Sequence, residues 1–175
     1  RRSSPSSDSA EGESVLRLTW EALLRTFGLA TAGVAKSGAT LKVRHVMRTN
    51  VKCLHVSDRL DEVLHFIEQS RYNHFPVVND EERLVGVIHF ADIRNFIYDP
   101  TLAELVTAAD LANPATPAVA GDKPLVEVLE VLRHTDLGSL PVVDGESSRR
   151  VVGILEQRDV LQALHKSRAQ QKTRS

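Results

Sequence analysis

The side chains best able to do chemistry in this chain are seven histidines, one cysteine and two aspartates, Asp92 and Asp159, that stand at matching places in its two halves. Histidine and cysteine hold metals when they converge. Here the histidines are scattered, none forms an H-x₃₋₅-H pair, and no cysteine or carboxylate cluster completes a set, so no metal site is expected. Cys53 has no partner for an internal disulfide or a thiolate zinc site. With no base or cation motif beside it, it reads as a small apolar residue in a strand. There is no nucleophile elbow, phosphate loop, zinc helix or glycine-rich dinucleotide turn, so the chain is not expected to be an enzyme. An aspartate at a helix start is commonly a cap, and that reading stays open for both Asp92 and Asp159.

The composition bounds what these residues can serve. The chain has 175 residues, 42% of them hydrophobic, which suits one ordinary domain or two small ones. Its 22 basic and 23 acidic residues nearly cancel, so it lacks the cationic footprint of a nucleic-acid binder. No apolar run approaches the ~20 residues that span a bilayer. The nearest candidate, Phe27 to Val34, is short and broken by Gly28 and Gly33. No secretory signal is visible at the start, and the reading is a soluble chain or the soluble piece of a larger one.

The elements that must position these side chains follow from an internal repeat. Sliding the chain against itself by roughly 65 residues sets Leu60, Glu62, Val63 and Leu64 on Leu125, Glu127, Val128 and Leu129. The same shift sets Pro76-Val77-Val78 on Pro141-Val142-Val143. After about two extra residues in the Gly145 to Arg150 loop, Val85-Gly86-Val87 falls on Val152-Gly153-Ile154, and Asp92-Ile93 on Asp159-Val160. An insertion confined to a polar turn is what a true repeat tolerates.

By period, the first copy reads as a strand at Val51 to Val56, a helix capped by Ser57 or Asp58 with Leu60, Val63, Leu64 and Ile67 on one face, and a buried hairpin of Phe75 to Val78 and Leu84 to Ile88. A second helix begins near Ala91 and ends at Asp99-Pro100. The second copy repeats this: a strand near Ala118-Val119, a helix from Pro124 to His134, strands Leu140 to Val143 and Val151 to Leu155, and a helix from Gln157 to His165. Gly86 and Gly153 are isolated strand glycines, read as points of close backbone approach at a cleft. A unit this small cannot cover its own apolar faces, so two copies are expected to stack about a pseudo-twofold axis and leave clefts between them.

The expected fold is therefore α+β, two βαββα repeats packed as a pseudo-twofold pair. The divisions are 1–40 for a disordered Ser-rich tail, a helix capped by Ser14 and a small-residue linker; 41–100 for the first repeat; 101–166 for the second; and 167–175 for a C-terminal tail. The Trp20-containing helix must dock on something, either the pair itself or a part that precedes it.

The run Val43-Arg44-His45-Val46-Met47, a helix, Phe75-Pro76-Val77-Val78-Asn79, Leu84-Val85-Gly86-Val87-Ile88 and a terminal Asp92 resembles the CBS domain, and it appears twice in order over roughly residues 41–166. More narrowly, the stretch Leu102 to Ala112 and the run Arg149-Arg150-Val151-Val152-Gly153 resemble the corresponding parts of CLC-type chloride channels and transporters. The resemblance implies a regulatory pair on the cytoplasmic side of the membrane, following the transmembrane part of the same transporter chain and forming homodimers.

It also implies a site. In nucleotide-binding CBS pairs the aspartate opening the last helix holds the ribose hydroxyls, and Asp92 and Asp159 match it; a carboxylate can accept from two adjacent O–H groups. The Ser or Thr that usually contacts phosphate three residues earlier is replaced by His89 and Glu156. Glu156 repels phosphate, whereas His89 either assists when protonated or is a plain strand-end residue. Adenine packs before the Phe-Pro-Val-Val strand, a position held here by Tyr72, Asn73 and His74, with Asp159 taking the ribose. Tyr72 then stacks on the base, or is simply a packing residue. No cofactor is required, and the ligand implied is an adenine nucleotide, ATP, ADP or AMP. Two other readings stay open: a regulatory appendage of a soluble enzyme resembling IMP dehydrogenase, and a stand-alone pair that docks on a separate partner.

Overall fold

The structure, a computed structural model, describes residues 41–94, 96, 101, 104–135 and 137–173. The expected Ser-rich tail, the helix beginning at Ser14 and the Asp99-Pro100 stop lie outside the described residues.

Each repeat builds one mixed three-stranded sheet. In the first, β1 (Leu54–His55) runs parallel to β2 (His74–Val78), which folds back into antiparallel β3 (Leu84–His89). In the second, β4 (Val119–Ala120), β5 (Ser139–Val143) and β6 (Val151–Glu156) repeat that order and those directions. The match extends to irregularities: the register slips between Val77 and Val78 and again between Val142 and Val143, and each hairpin turn holds one left-handed residue, Glu82 or Arg149. Helices α1 (Leu60–Glu68) and α2 (Phe90–Ile93) accompany the first sheet, α3 (Ala108–Leu111) follows them, and α4 (Leu125–His134) and α5 (Gln157–Thr173) accompany the second.

Local chemistry explains where these elements begin and end. The cap of α1 is neither Ser57 nor Asp58 but Arg59. The Asp58 carboxylate is occupied in the preceding turn, accepting from the His55 N–H at 2.7 Å, so the orphan Arg59 N–H goes to Glu62 at 2.8 Å. Leu60, Val63 and Ile67 recur at helical spacing and are the buried residues of α1. The final helix continues past His165 to Thr173, through residues such as Ala169 and Gln170 that favour helix and stay exposed. The hairpins are largely buried on both faces, with Val78, Val151 and Val152 half-buried and Val85 37% exposed.

The chain crosses over between the two cores. Val43, although contiguous in sequence with the first repeat, is fully buried in the second core among residues such as Leu125, Leu140 and Val160. Ala108 and Leu111, contiguous with the second repeat, are buried in the first core with Leu54, Phe75 and Ile88. Burying one such valine or leucine is worth about 1.5–3 kcal/mol, so each half takes part of its stability from the segment leading into the other.

The two sheets meet about an approximate dyad, seen in the contacts between equivalent positions. Arg48 and Ile154 exchange backbone hydrogen bonds at 2.9 and 2.9 Å; their equivalents Asn113 and Val87 do so at 2.9 and 3.1 Å. Arg83 pairs with its own equivalent, Arg150, and His74 Nδ1 lies 3.0 Å from the hydroxyl of its own equivalent, Ser139. The close approach expected at the strand glycines is present. A Cβ on Gly86 would lie 2.9 Å from the Asn113 carbonyl carbon and oxygen, and one on Gly153 2.8 Å from the Arg48 carbonyl oxygen.

Candidate functional site

The segment just before β2 is held by its own strand end: the Asn73 carbonyl accepts from the Phe90 N–H at 3.0 Å, leaving the Asn73 side chain exposed and Tyr72 and His74 half-buried. Tyr72 and His74 line a cavity of about 320 Å³, with Phe66, Phe75, Pro76 and, from the other repeat, Ile154 giving apolar walls. Asn50, Lys52, Gln69 and Arg71 supply its polar rim. An apolar slot with a few polar groups, at the small end of ligand-site volumes, suits a planar aromatic group.

A charged cluster adjoins it. Arg48, from the segment leading into β1, reaches across the dyad to the first turn of α5, where its Nε lies 2.9 Å from Asp159 Oδ2 and its Nη2 3.3 Å from Oδ1. Hydrogen bonding to Asp159 first and to Tyr72 second holds the guanidinium above its ordinary pKa. Nη1 stands 3.4 Å from Glu156 Oε1, a buried oxygen that makes no hydrogen bond among the described residues, while Arg158 Nε takes Oε2 at 2.7 Å. Tyr72 is thus brought onto one guanidinium with Glu156 and Asp159, which lie more than eighty residues further along the chain. Arg48 is the residue that sequence reading missed, because nothing in the run after Met47 announces a partner in the opposite repeat.

The dyad-related set looks different. His89 Nε2 lies 3.1 Å from the buried Thr116 hydroxyl, and its ring meets that of His74 edge-on, with centroids 4.9 Å apart. Burial first, and then the proximity of His89, lower the pKa of His74 from its ordinary 6.5. Asp92, the equivalent of Asp159, is exposed and forms no ion pair among the described residues. Cys53 is half-buried, and burial with Glu82 nearby pushes its thiol up to about 11, which suppresses the reactive thiolate. Among the described residues no group of three or more metal-ligating side chains converges. A larger cavity of about 490 Å³ lies in the second repeat between α4 and the β5–β6 turn, lined by residues such as Val128, Val131, Lys123 and Arg149, but none of the sequence-predicted residues reaches it.

A family model for the CBS domain matches residues 43–99 and again 108–166. A Dictyostelium discoideum CBS domain-containing protein is 26% identical over 136 residues, 71% of this chain and 91% of that protein. Inosine-5'-monophosphate dehydrogenase of Methanocaldococcus jannaschii is 28% identical over 123 residues, 70% of this chain but 23% of the enzyme. The rat chloride channel protein ClC-Kb is 35% identical over 63 residues, 36% of this chain and 9% of the channel. Among solved structures, CBSX2 in complex with AMP superposes with a TM-score of 0.61 at 23% identity, covering 71% of this chain and 97% of that one. The CBS domain of a bacterial CNNM/CorC family Mg2+ transporter in complex with ATP gives 0.63 at 20% identity, covering 76% and 92%.

Proposed function

The chain belongs to the CBS-domain family, and from that premise we propose that it is a non-catalytic regulatory pair whose cleft between Tyr72 and Asp159 takes an adenine nucleotide. The observation that carries this reading is the juxtaposition of an apolar slot walled by Tyr72, His74 and Pro76 with the Asp159 carboxylate of the opposite repeat. The slot accepts a base between apolar faces, and Asp159 accepts from two ribose hydroxyls. AMP and ATP in the complexes of the two structural relatives support the ligand class. Regulation then follows from differential affinity: a ligand touching both repeats favours one angle between them and moves whatever is attached.

Calorimetric titration of the chain with ATP, ADP and AMP tests the reading. Binding should release heat and raise the melting temperature, by about 2.7 kcal/mol of added stability at a hundredfold excess over Kd. No heat and no thermal shift at millimolar nucleotide would defeat it.

For the attached part, the reading is the transmembrane region of a CLC-type chloride transporter, with the pair on the cytoplasmic side as a homodimer. The ClC-Kb match supports the transporter, and the exposed apolar residues Phe90 and Leu105 support self-association. No helix among the described residues is long and apolar enough to cross a membrane. The longer match to inosine-5'-monophosphate dehydrogenase favours a second reading, a regulatory pair of a soluble enzyme. Apolar spans or a catalytic domain in the parent reading frame would separate the two.

A further inference from the structure

We infer that Arg48 is a built-in occupant of the Asp159 position, and that a ligand enters by offering it another anion, so that the cleft selects phosphate-bearing adenine nucleotides over the bare nucleoside. This rests on the nucleotide reading above and adds to it a residue that sets specificity.

A carboxylate has two oxygens, and the Arg48 fork takes both, Nε on Oδ2 at 2.9 Å and Nη2 on Oδ1 at 3.3 Å. Each oxygen keeps a second lone pair, but Asp159 is only 20% exposed, so a hydroxyl pair that addresses it competes with that fork for the open side of the carboxylate. The Arg48 backbone cannot yield, because it is tied to Ile154 by two hydrogen bonds of 2.9 Å and its carbonyl lies against Gly153. The side chain can: it is 40% exposed, on a flexible stem.

When Arg48 swings away, ribose hydroxyls replace it on Asp159, and Arg158, 2.7 Å from Glu156, still neutralises the neighbouring carboxylate. The displaced guanidinium then needs an anion, and a phosphate matches its planar fork bidentately. Lys52 and Arg71 on the rim of the adjoining cavity add positive potential where that phosphate arrives. Adenosine must displace Arg48 with nothing to give it. AMP repairs the exchange, which answers the objection raised by a glutamate at the usual phosphate-contacting position. The other repeat is an internal control, since Asn113 stands in the place of Arg48 and turns its side-chain oxygen to the Ala115 N–H instead.

The experiment is calorimetric titration of the full chain and of Arg48→Gln with adenosine and with AMP, melting curves confirming that each is folded. In the parent chain AMP should bind at least about tenfold tighter than adenosine; in Arg48→Gln adenosine should tighten and AMP weaken until the ratio falls to about threefold or less. An unchanged ratio in the folded variant overturns the inference while leaving the nucleotide reading intact. Failure of AMP to bind the parent chain overturns the inference, and failure of ATP and ADP as well overturns the nucleotide reading with it. Should Arg48→Gln not fold, Arg48→Lys keeps the charge and loses the fork: adenosine should tighten with AMP little changed, and unaltered adenosine affinity would overturn the inference.

Discussion

The two clefts of this molecule share a backbone and differ in almost every side chain that matters. Arg48 and Asn113 occupy equivalent positions and make the same reciprocal pair of backbone hydrogen bonds to the opposite sheet. Yet the first faces Glu156 and Asp159, and the second faces a repeat that carries His89 and Asp92 at those places. One side is a closed knot of charge spanning the dyad; the other has an exposed aspartate with no ion pair among the described residues and a histidine resting on a buried threonine. The backbone contacts are what keep two marginal units together, so they tolerate little variation. Side chains pointing into the clefts are free of that duty and can diverge, so the two clefts present different chemistry.

That contrast can be broken at the glycines. Gly86→Ala and Gly153→Ala should each destabilise the chain by about 1–3 kcal/mol, since the new methyl meets backbone that cannot retreat. The Gly86 variant should suffer more, because its methyl meets two Asn113 backbone atoms and the Ala112 side chain, whereas Gly153 faces one carbonyl and the adaptable Met47 thioether. Denaturant melts measure this. Only the Gly153 variant should also disturb nucleotide affinity, since it pushes on Arg48; equal loss of affinity in both would erase the distinction between the clefts.

A smaller effect lies in the histidines. His74 binds a proton less readily in the folded state than in the unfolded one, so the unfolded chain takes up the proton first. Stability should be complete above the ordinary value of 6.5 and decline as pH falls from there toward the lowered folded value, because the fold resists the charge that the free chain accepts. Melting temperatures followed between neutral and mildly acidic pH should show this decline in the parent chain and a shallower one in His74→Gln. Identical slopes would remove His74 from the account.

Much of the fold was legible because it is written twice. The shift of about 65 residues that aligned Pro76-Val77-Val78 with Pro141-Val142-Val143 located both hairpins, and the helical spacing of Leu60, Val63 and Ile67 located the first core. The crossing of Val43 into the second core was not legible, since apolar residues state that they will be buried but not against which neighbour. The cap of α1 was misread for a similar reason: Asp58 is a good cap, but a tight turn used its carboxylate first. At the site, Tyr72 and His74 do line one cavity, and Tyr72, Glu156 and Asp159 do converge. What joins them is Arg48, more than a hundred residues from its partner, a pairing that only tertiary structure reveals.

The most direct test of the asymmetry compares Asp159→Asn with Asp92→Asn in calorimetric titration with AMP, each variant confirmed as folded. Affinity should fall at least about tenfold in the Asp159 variant and stay at the parent value in the Asp92 variant. Undiminished binding by Asp159→Asn, or equal loss in both, would contradict the assignment of the ligand to the cleft between Tyr72 and Asp159.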